Sequence, residues 1–155
     1  MAGILFTSRT HTLAGYDSRK KSITGIGGKK KGGEFPYETA VREVVEELFE
    51  LEVVSNELIK TIIAFLTFDK CISNGSYTTY IMTFYDLEKI MSVVYTSGVR
   101  SLVYDQLPKT INDLILTRQL MNQAELKHLV LIPREADVRI SNSLISDIQT
   151  FNSME

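Results

Sequence analysis

Lys29, Lys30 and Lys31 stand between the glycine pairs Gly27-Gly28 and Gly32-Gly33, and a run of glutamates follows closely. Glycine lets backbone amides approach an anion, and the lysines add positive charge. Gly28 with Lys29, Lys30 and Lys31 is therefore a candidate phosphate-binding loop. The segment from Pro36 to about Leu51 has a helical period. At about 100° per residue, Ala40, Val41, Val44, Val45 and Leu48 fill one arc roughly 140° wide. Glu43, Glu46, Glu47 and Glu50 fill an arc of about 100° on the other side. Like charges at this spacing repel, and the only basic residue inside the helix is Arg42, at the edge of the acidic arc. A solvated acidic face is the plain reading of such a helix. A hard cation is the other, because Mg²⁺ takes one or two carboxylates together with substrate phosphates. A phosphate loop that delivers its ligand to a carboxylate-lined helix makes the second reading coherent. Glu34 falls eight residues before Arg42, so a turn would return it to pair with that guanidinium.

The elements that must position these groups are short and interleaved. Ala2 to Ser8 and Thr12 to Tyr16 read as strands forming a hairpin, Tyr16 to Ser22 as a basic loop, and ITGIGG as a strand that breaks at glycine. Leu58 to Phe68 and Tyr77 to Tyr85 are β-rich, and Asn74-Gly75 between them predicts an antiparallel pair. Leu107 to Lys127 has helical spacing, HLVLIP reads as a further strand, and SNSLISDIQTF as a helix opening at a polar cap. Irregular interleaving favours an α+β or α-β-α sandwich over a doubly wound sheet.

With 155 residues, 44% hydrophobic and 23% charged, the chain is expected to form a single domain spanning 1–155. A formal net charge of -2 gives no global attraction to nucleic acid or acidic membranes, so an anion site has to be local. The lone cysteine, Cys71, supports no internal disulfide and reads as an inert thiol near a turn. No run is long enough for a membrane span and MAGILFTSRTHT lacks the form of a signal peptide. The expected location is intracellular, cytoplasmic or nuclear. The glycine-lysine segment is neither a Walker A loop, since no Ser or Thr follows the lysines, nor a dinucleotide fingerprint, since Gly25-Ile26-Gly27 lacks the third glycine.

The spacing resembles the signature of Nudix hydrolases, G-x5-E-x7-R-E-U-x-E-E-x-G-U with U aliphatic. Here it reads Gly28, Glu34, then Arg42-Glu43-Val44-Val45-Glu46-Glu47. It departs at the end, with Phe49 in place of glycine and Glu50 in place of the aliphatic residue. Glycine there turns the chain out of the helix, so a longer helix or a different exit is expected, with Leu51 or Val53 packing instead. The resemblance implies an α-β-α sandwich with a mixed sheet and Mg²⁺-dependent pyrophosphohydrolase activity on a nucleoside diphosphate linked to another group, with Mn²⁺ as a substitute. It implies metal ligation by Glu43, Glu46, Glu47 and the Gly27 carbonyl, catalysis through Glu43 or Glu46, and a structural brace of Glu34 with Arg42. A later-loop carboxylate, Asp86, Glu88 or Asp105, is an alternative base.

The expected substrates are nucleotides or their derivatives, with (oxidised) nucleoside triphosphates first. Alternatives are capped mRNA, cleaved to release m7GDP, and dinucleoside polyphosphates. Arg19-Lys20-Lys21 together with Lys29 to Lys31 would hold an RNA backbone. Phe6, Tyr16, Phe84 and Tyr104 are aromatics able to stack on a base, though core or rim positions suit them better. His11 and His128 have no metal-ligand spacing. A non-enzymatic nucleotide-binding module of the same type is the remaining alternative, disfavoured because the box glutamates are all present.

Overall fold

The computed structural model describes residues 1–134 and 142–154. A mixed sheet has the order β4-β1-β6-β5, formed by β1 (Ala2–Phe6), β4 (Ile26–Gly28), β5 (Cys71–Asn74) and β6 (Tyr77–Met82). Strand β1 runs parallel to β6, with Ile4 opposite Tyr80, and antiparallel to β4, with Gly3 opposite Gly27. The second sheet is antiparallel, in the order β3-β2-β7, with β2 (His11–Asp17), β3 (Ser22–Thr24) and β7 (Leu126–Pro133).

Alternation along β1 explains the layering, because successive strand residues face opposite sides. Ala2, Ile4 and Phe6 join the core beneath helix α1 (Pro36–Val44), with Ala40, Val41 and Val44. Leu5 points the other way, into a cluster with Ile72, Ile81 and helix α5 (Asn142–Met154) through Leu144, Ile148 and Phe151. Helices therefore cover both faces of a mixed sheet, and the fold is an α+β, α-β-α sandwich. Among the described residues, no helix is long and apolar enough to cross a membrane.

Several local expectations differ. The hairpin expected from the first two strands is reduced to a single bridge between Thr7 and Thr12, and β1 and β2 lie in different sheets. ITGIGG is two strands with Gly25 between them, and the chain crosses there from one sheet to the other. Leu58 to Phe68 is not a strand: α2 (Asn56–Ala64) starts where the Ser55 side chain accepts from the Leu58 amide at 3.1 Å. Leu58, Ile59 and Ile62 are buried while Lys60 and Thr61 are exposed, a two-in, two-out pattern that fits period 3.6 and not period 2. The turn at Asn74-Gly75 is present, with Gly75 at φ +65°, but its first strand is β5.

The strand ending at Tyr85 in the sequence reading stops at Met82. Thr83 and Asp86 then form reciprocal caps at 3.1 and 3.0 Å that open α3 (Phe84–Ser97). Only α4 (Ile111–Leu116) of the expected Leu107 to Lys127 helix is helical. The strand at HLVLIP and the last helix are present, and the polar cap at Ser141 lies outside the described residues. Cys71 is exposed at the start of β5.

Candidate active site

Helix α1 begins with Pro36 at its first turn and the Phe35 amide bonded to the Glu38 carboxylate at 2.9 Å. All five residues of the apolar arc are fully buried, which fixes where the opposite arc points. That arc is not an outer solvated face. Glu43 and Glu47 are buried, at 9% and 4% exposure. After Val44 the helix widens into a π turn, Val45–Phe49, and ends at Glu50 in the left-handed region, φ 44° and ψ 53°. Phe49 is buried in the core, Leu51 packs behind it, and Val53 is exposed.

Arg42 is the hub. It reaches Glu34 at 2.8 and 3.2 Å, the Lys29 carbonyl at 2.7 Å, Glu43 at 2.9 Å and Glu46 at 2.9 Å. The expected pairing of Glu34 with Arg42 is present, and the same guanidinium also holds two carboxylates expected to ligate metal. Burial alone would raise the Glu34 pKa, but Arg42 and the Lys31 amide outweigh it and hold the group below its ordinary value. Lys31 adds an ion pair to Glu46 at 3.4 Å, while Lys29 and Lys30 are exposed.

The two glycines of the loop's first pair carry close approaches. A Cβ on Gly28 would lie 2.5 Å from the Glu43 carboxyl carbon, and one on Gly27 would lie 2.2 Å from the Tyr77 hydroxyl. The Gly27 backbone lies near the Glu47 carboxylate and favours its charged form. The structure therefore sets Gly28 beneath Glu43 at the end of β4, with the lysines beyond it.

Glu47 is the unusual group. Its Oε2 is buried and has no hydrogen-bond partner. Burial, then Glu125 and Glu43, push its pKa up to about 9, against the Gly27 backbone. Burial also raises the pKa of Glu43, against the pull of Arg42, and that of Glu50, against the Glu125 amide and Arg118. Glu125, immediately before β7, acts on all three of these carboxylates. Its amide donates to Glu50 at 3.3 Å, and its side chain pairs with Arg19 at 3.6 Å. Nothing in its spacing marked it, since it lies 75 residues from Glu50.

Asp86, Glu88 and Asp105 are elsewhere. Asp86 caps α3, Glu88 is exposed on that helix, and Asp105 lines a separate surface depression with Pro108 and Asp113. Beside Glu47 lies a cavity of about 150 Å³, bounded by Lys20, Gly25 to Gly27, Tyr77, Thr79, Glu125 and Asp147. Asp147 accepts from Thr79 at 2.8 Å. Phe6 and Tyr104 are core residues, Phe84 opens α3, and Tyr16 lies beside His128 at 6.4 Å between ring centres; none lines the cavity.

The donor set is all oxygen, which suits a hard divalent cation. The unpartnered Glu47 oxygen, set among like charges, is the group such an ion would satisfy. Among the described residues, no three His, Cys, Asp or Glu side chains converge on one point as they stand. Glu43 and Glu46 are turned onto Arg42 instead, and ligation would require them to swing away from it.

No family model matches the chain, and no curated protein sequence does. Among solved structures, the chain is similar to a hydrolase of the NUDIX family from Clostridium perfringens. The identity is 15% and the TM-score 0.44, covering 99% of this chain and 96% of the other.

Proposed function

We propose that the protein is a Nudix-type, divalent-metal-dependent pyrophosphohydrolase acting on nucleoside diphosphate derivatives, with nucleoside triphosphates as the first substrate class. The observation that carries this is Glu47, a buried carboxylate with an unpartnered oxygen, grouped with Glu43, Glu50 and Glu125 beside a glycine-lysine loop. Leaving such a group buried and uncompensated is expensive, and a divalent cation would compensate it.

The departure from the family's box has a geometric account. A π turn accommodates one extra residue in a helix. With that residue inserted, Glu50 takes the left-handed exit that the box assigns to glycine, and Leu51 takes the aliphatic position. Glu43 stands before that turn, and Glu46 and Glu47 lie within it.

Glu43, Glu46, Glu47 and the Gly27 backbone would hold Mg²⁺, or Mn²⁺ in its place. The ion would supply Lewis-acid neutralisation of the diphosphate and acidify a water. The chain's own groups would do the rest. Lys31 meets a phosphate from the loop side, with Lys29 and Lys30 beside it. Glu46, the more exposed carboxylate at 34%, takes a proton from the attacking water, with Glu43 as its alternate. Glu125 replaces Asp86, Glu88 and Asp105 as the carboxylate brought in from a later loop.

A capped RNA is the second substrate class, favoured by the basic turn reaching the site through the Arg19 to Glu125 pair and through Lys20. The test is a substrate panel with Mg²⁺ and product identification by mass. A nucleoside triphosphate should yield monophosphate and pyrophosphate, and Glu46→Gln or Glu47→Gln should abolish most turnover. Comparable release of inorganic phosphate from a nucleoside monophosphate would overturn the proposal, because a monophosphate fills only half the arrangement.

A further inference from the structure

The end of the acidic helix poses a problem of backbone accounting. A helix leaves its last four carbonyls without helical donors, and here these belong to Glu47, Leu48, Phe49 and Glu50, since the Glu46 carbonyl accepts from the Glu50 amide. Phe49 is satisfied by the Ser101 hydroxyl and Glu50 by the Leu102 amide at 2.8 Å. The other two belong to one side chain. Arg118 donates to the Glu47 carbonyl at 2.8 Å and to the Leu48 carbonyl.

The same guanidinium also binds the first residue of β7, donating to the Leu126 carbonyl at 2.8 and 3.2 Å. Its remaining contact, 3.3 Å, is to the hydroxyl of Tyr104, which in turn donates to the Leu114 carbonyl. Arg118 thus joins the backbone that carries Glu47 to the backbone one residue beyond Glu125. Its charge also lies at the negative end of the helix dipole.

From this geometry we infer that Arg118 is a positioning residue: it fixes the separation of Glu47 and Glu125 and so sets how well the site holds a divalent cation. The inference rests on the metal-dependent function proposed above. Lysine cannot substitute, because its point charge cannot span carbonyls on two elements as a planar fork does. Partners that orient ligands from outside typically alter metal affinity by 10–100-fold.

The experiment measures Mn²⁺ binding to the substrate-free protein by electron paramagnetic resonance, alongside kcat and KM. Arg118→Ala and Arg118→Lys should each weaken Mn²⁺ binding about 10-fold or more. They should lower kcat more than they raise KM. Millimolar guanidinium should restore both Mn²⁺ binding and kcat in Arg118→Ala while leaving wild type unchanged. If these variants do not fold, Tyr104→Phe, which removes the hydroxyl linking the guanidinium to the Leu114 carbonyl, should show the same loss in milder form. Folded variants that bind Mn²⁺ as wild type does, or a loss that guanidinium does not rescue, would overturn the inference. Wild type that binds no Mn²⁺ would overturn it together with the proposed function, a result distinct from equal binding by wild type and variants.

Discussion

The protonation of Glu47 gives a sharp test of the site without any substrate. In the folded, metal-free chain its pKa is pushed up to about 9, first by burial and then by Glu125 and Glu43, whereas an unfolded glutamate titrates at about 4.5. Between those values the native state binds more protons than the unfolded state. Stability from this group is therefore fully present below the unfolded pKa and is lost as pH rises toward the folded one. The slope approaches 1.4 kcal/mol per pH unit, so moving from about pH 6 to about pH 8 removes roughly 3 kcal/mol. For a chain of this size that corresponds to a fall in Tm of roughly 6–12 °C. The assay is thermal unfolding in a chelator at both pH values, for wild type and Glu47→Gln. The histidines and other titrating groups are common to both proteins and cancel in the comparison. Wild type should lose this stability on the alkaline side while Glu47→Gln stays nearly flat. Adding Mg²⁺ should recover it in wild type alone, because binding to the native state shifts the unfolding equilibrium. Parallel pH curves for the two proteins would refute the reasoning, since they would show Glu47 to be solvated or already paired.

Arg42→Ala removes the partner of Glu34, Glu43 and Glu46 at once, with Arg42 itself only 10% exposed. It should cost about 3–5 kcal/mol, and an unchanged urea midpoint would show that these pairs carry no weight. Glu50→Gly should stabilise the chain by about 1 kcal/mol at neutral pH, because glycine relieves the left-handed backbone at φ 44°. Glu50→Ala keeps that strain and serves as the control; equal urea midpoints for the two variants would contradict the strain argument.

The acidic helix was legible in the sequence because its two arcs obey one period, and burying Ala40, Val41, Val44, Val45 and Leu48 leaves the glutamates a single direction. The Glu34 to Arg42 pair was legible for a related reason, since a helix and one turn fix an eight-residue separation. The strands were read well only where alternation or a turn defined them. In Leu58 to Phe68 the β-branched residues outvoted the paired burial of Leu58 and Ile59, although Ser55 stood ready as a cap. Thr83 and Asp86 were passed over in the same way, and α3 with them.

The rest of the site depends on long-range closure, which no local pattern encodes. Glu125 and Arg118 reach the helix across 70 to 75 residues of chain, and neither belongs to a motif. Their placement also explains why the acidic arc does not simply repel itself apart. Arg42 neutralises Glu43 and Glu46 and Arg118 ties down the backbone of Glu47, leaving Glu47 as the only carboxylate among the described residues with a buried, unpartnered oxygen. Two arginines so arranged divide one task. The first holds the carboxylates of Glu43 and Glu46, and the second holds the backbone that carries Glu47.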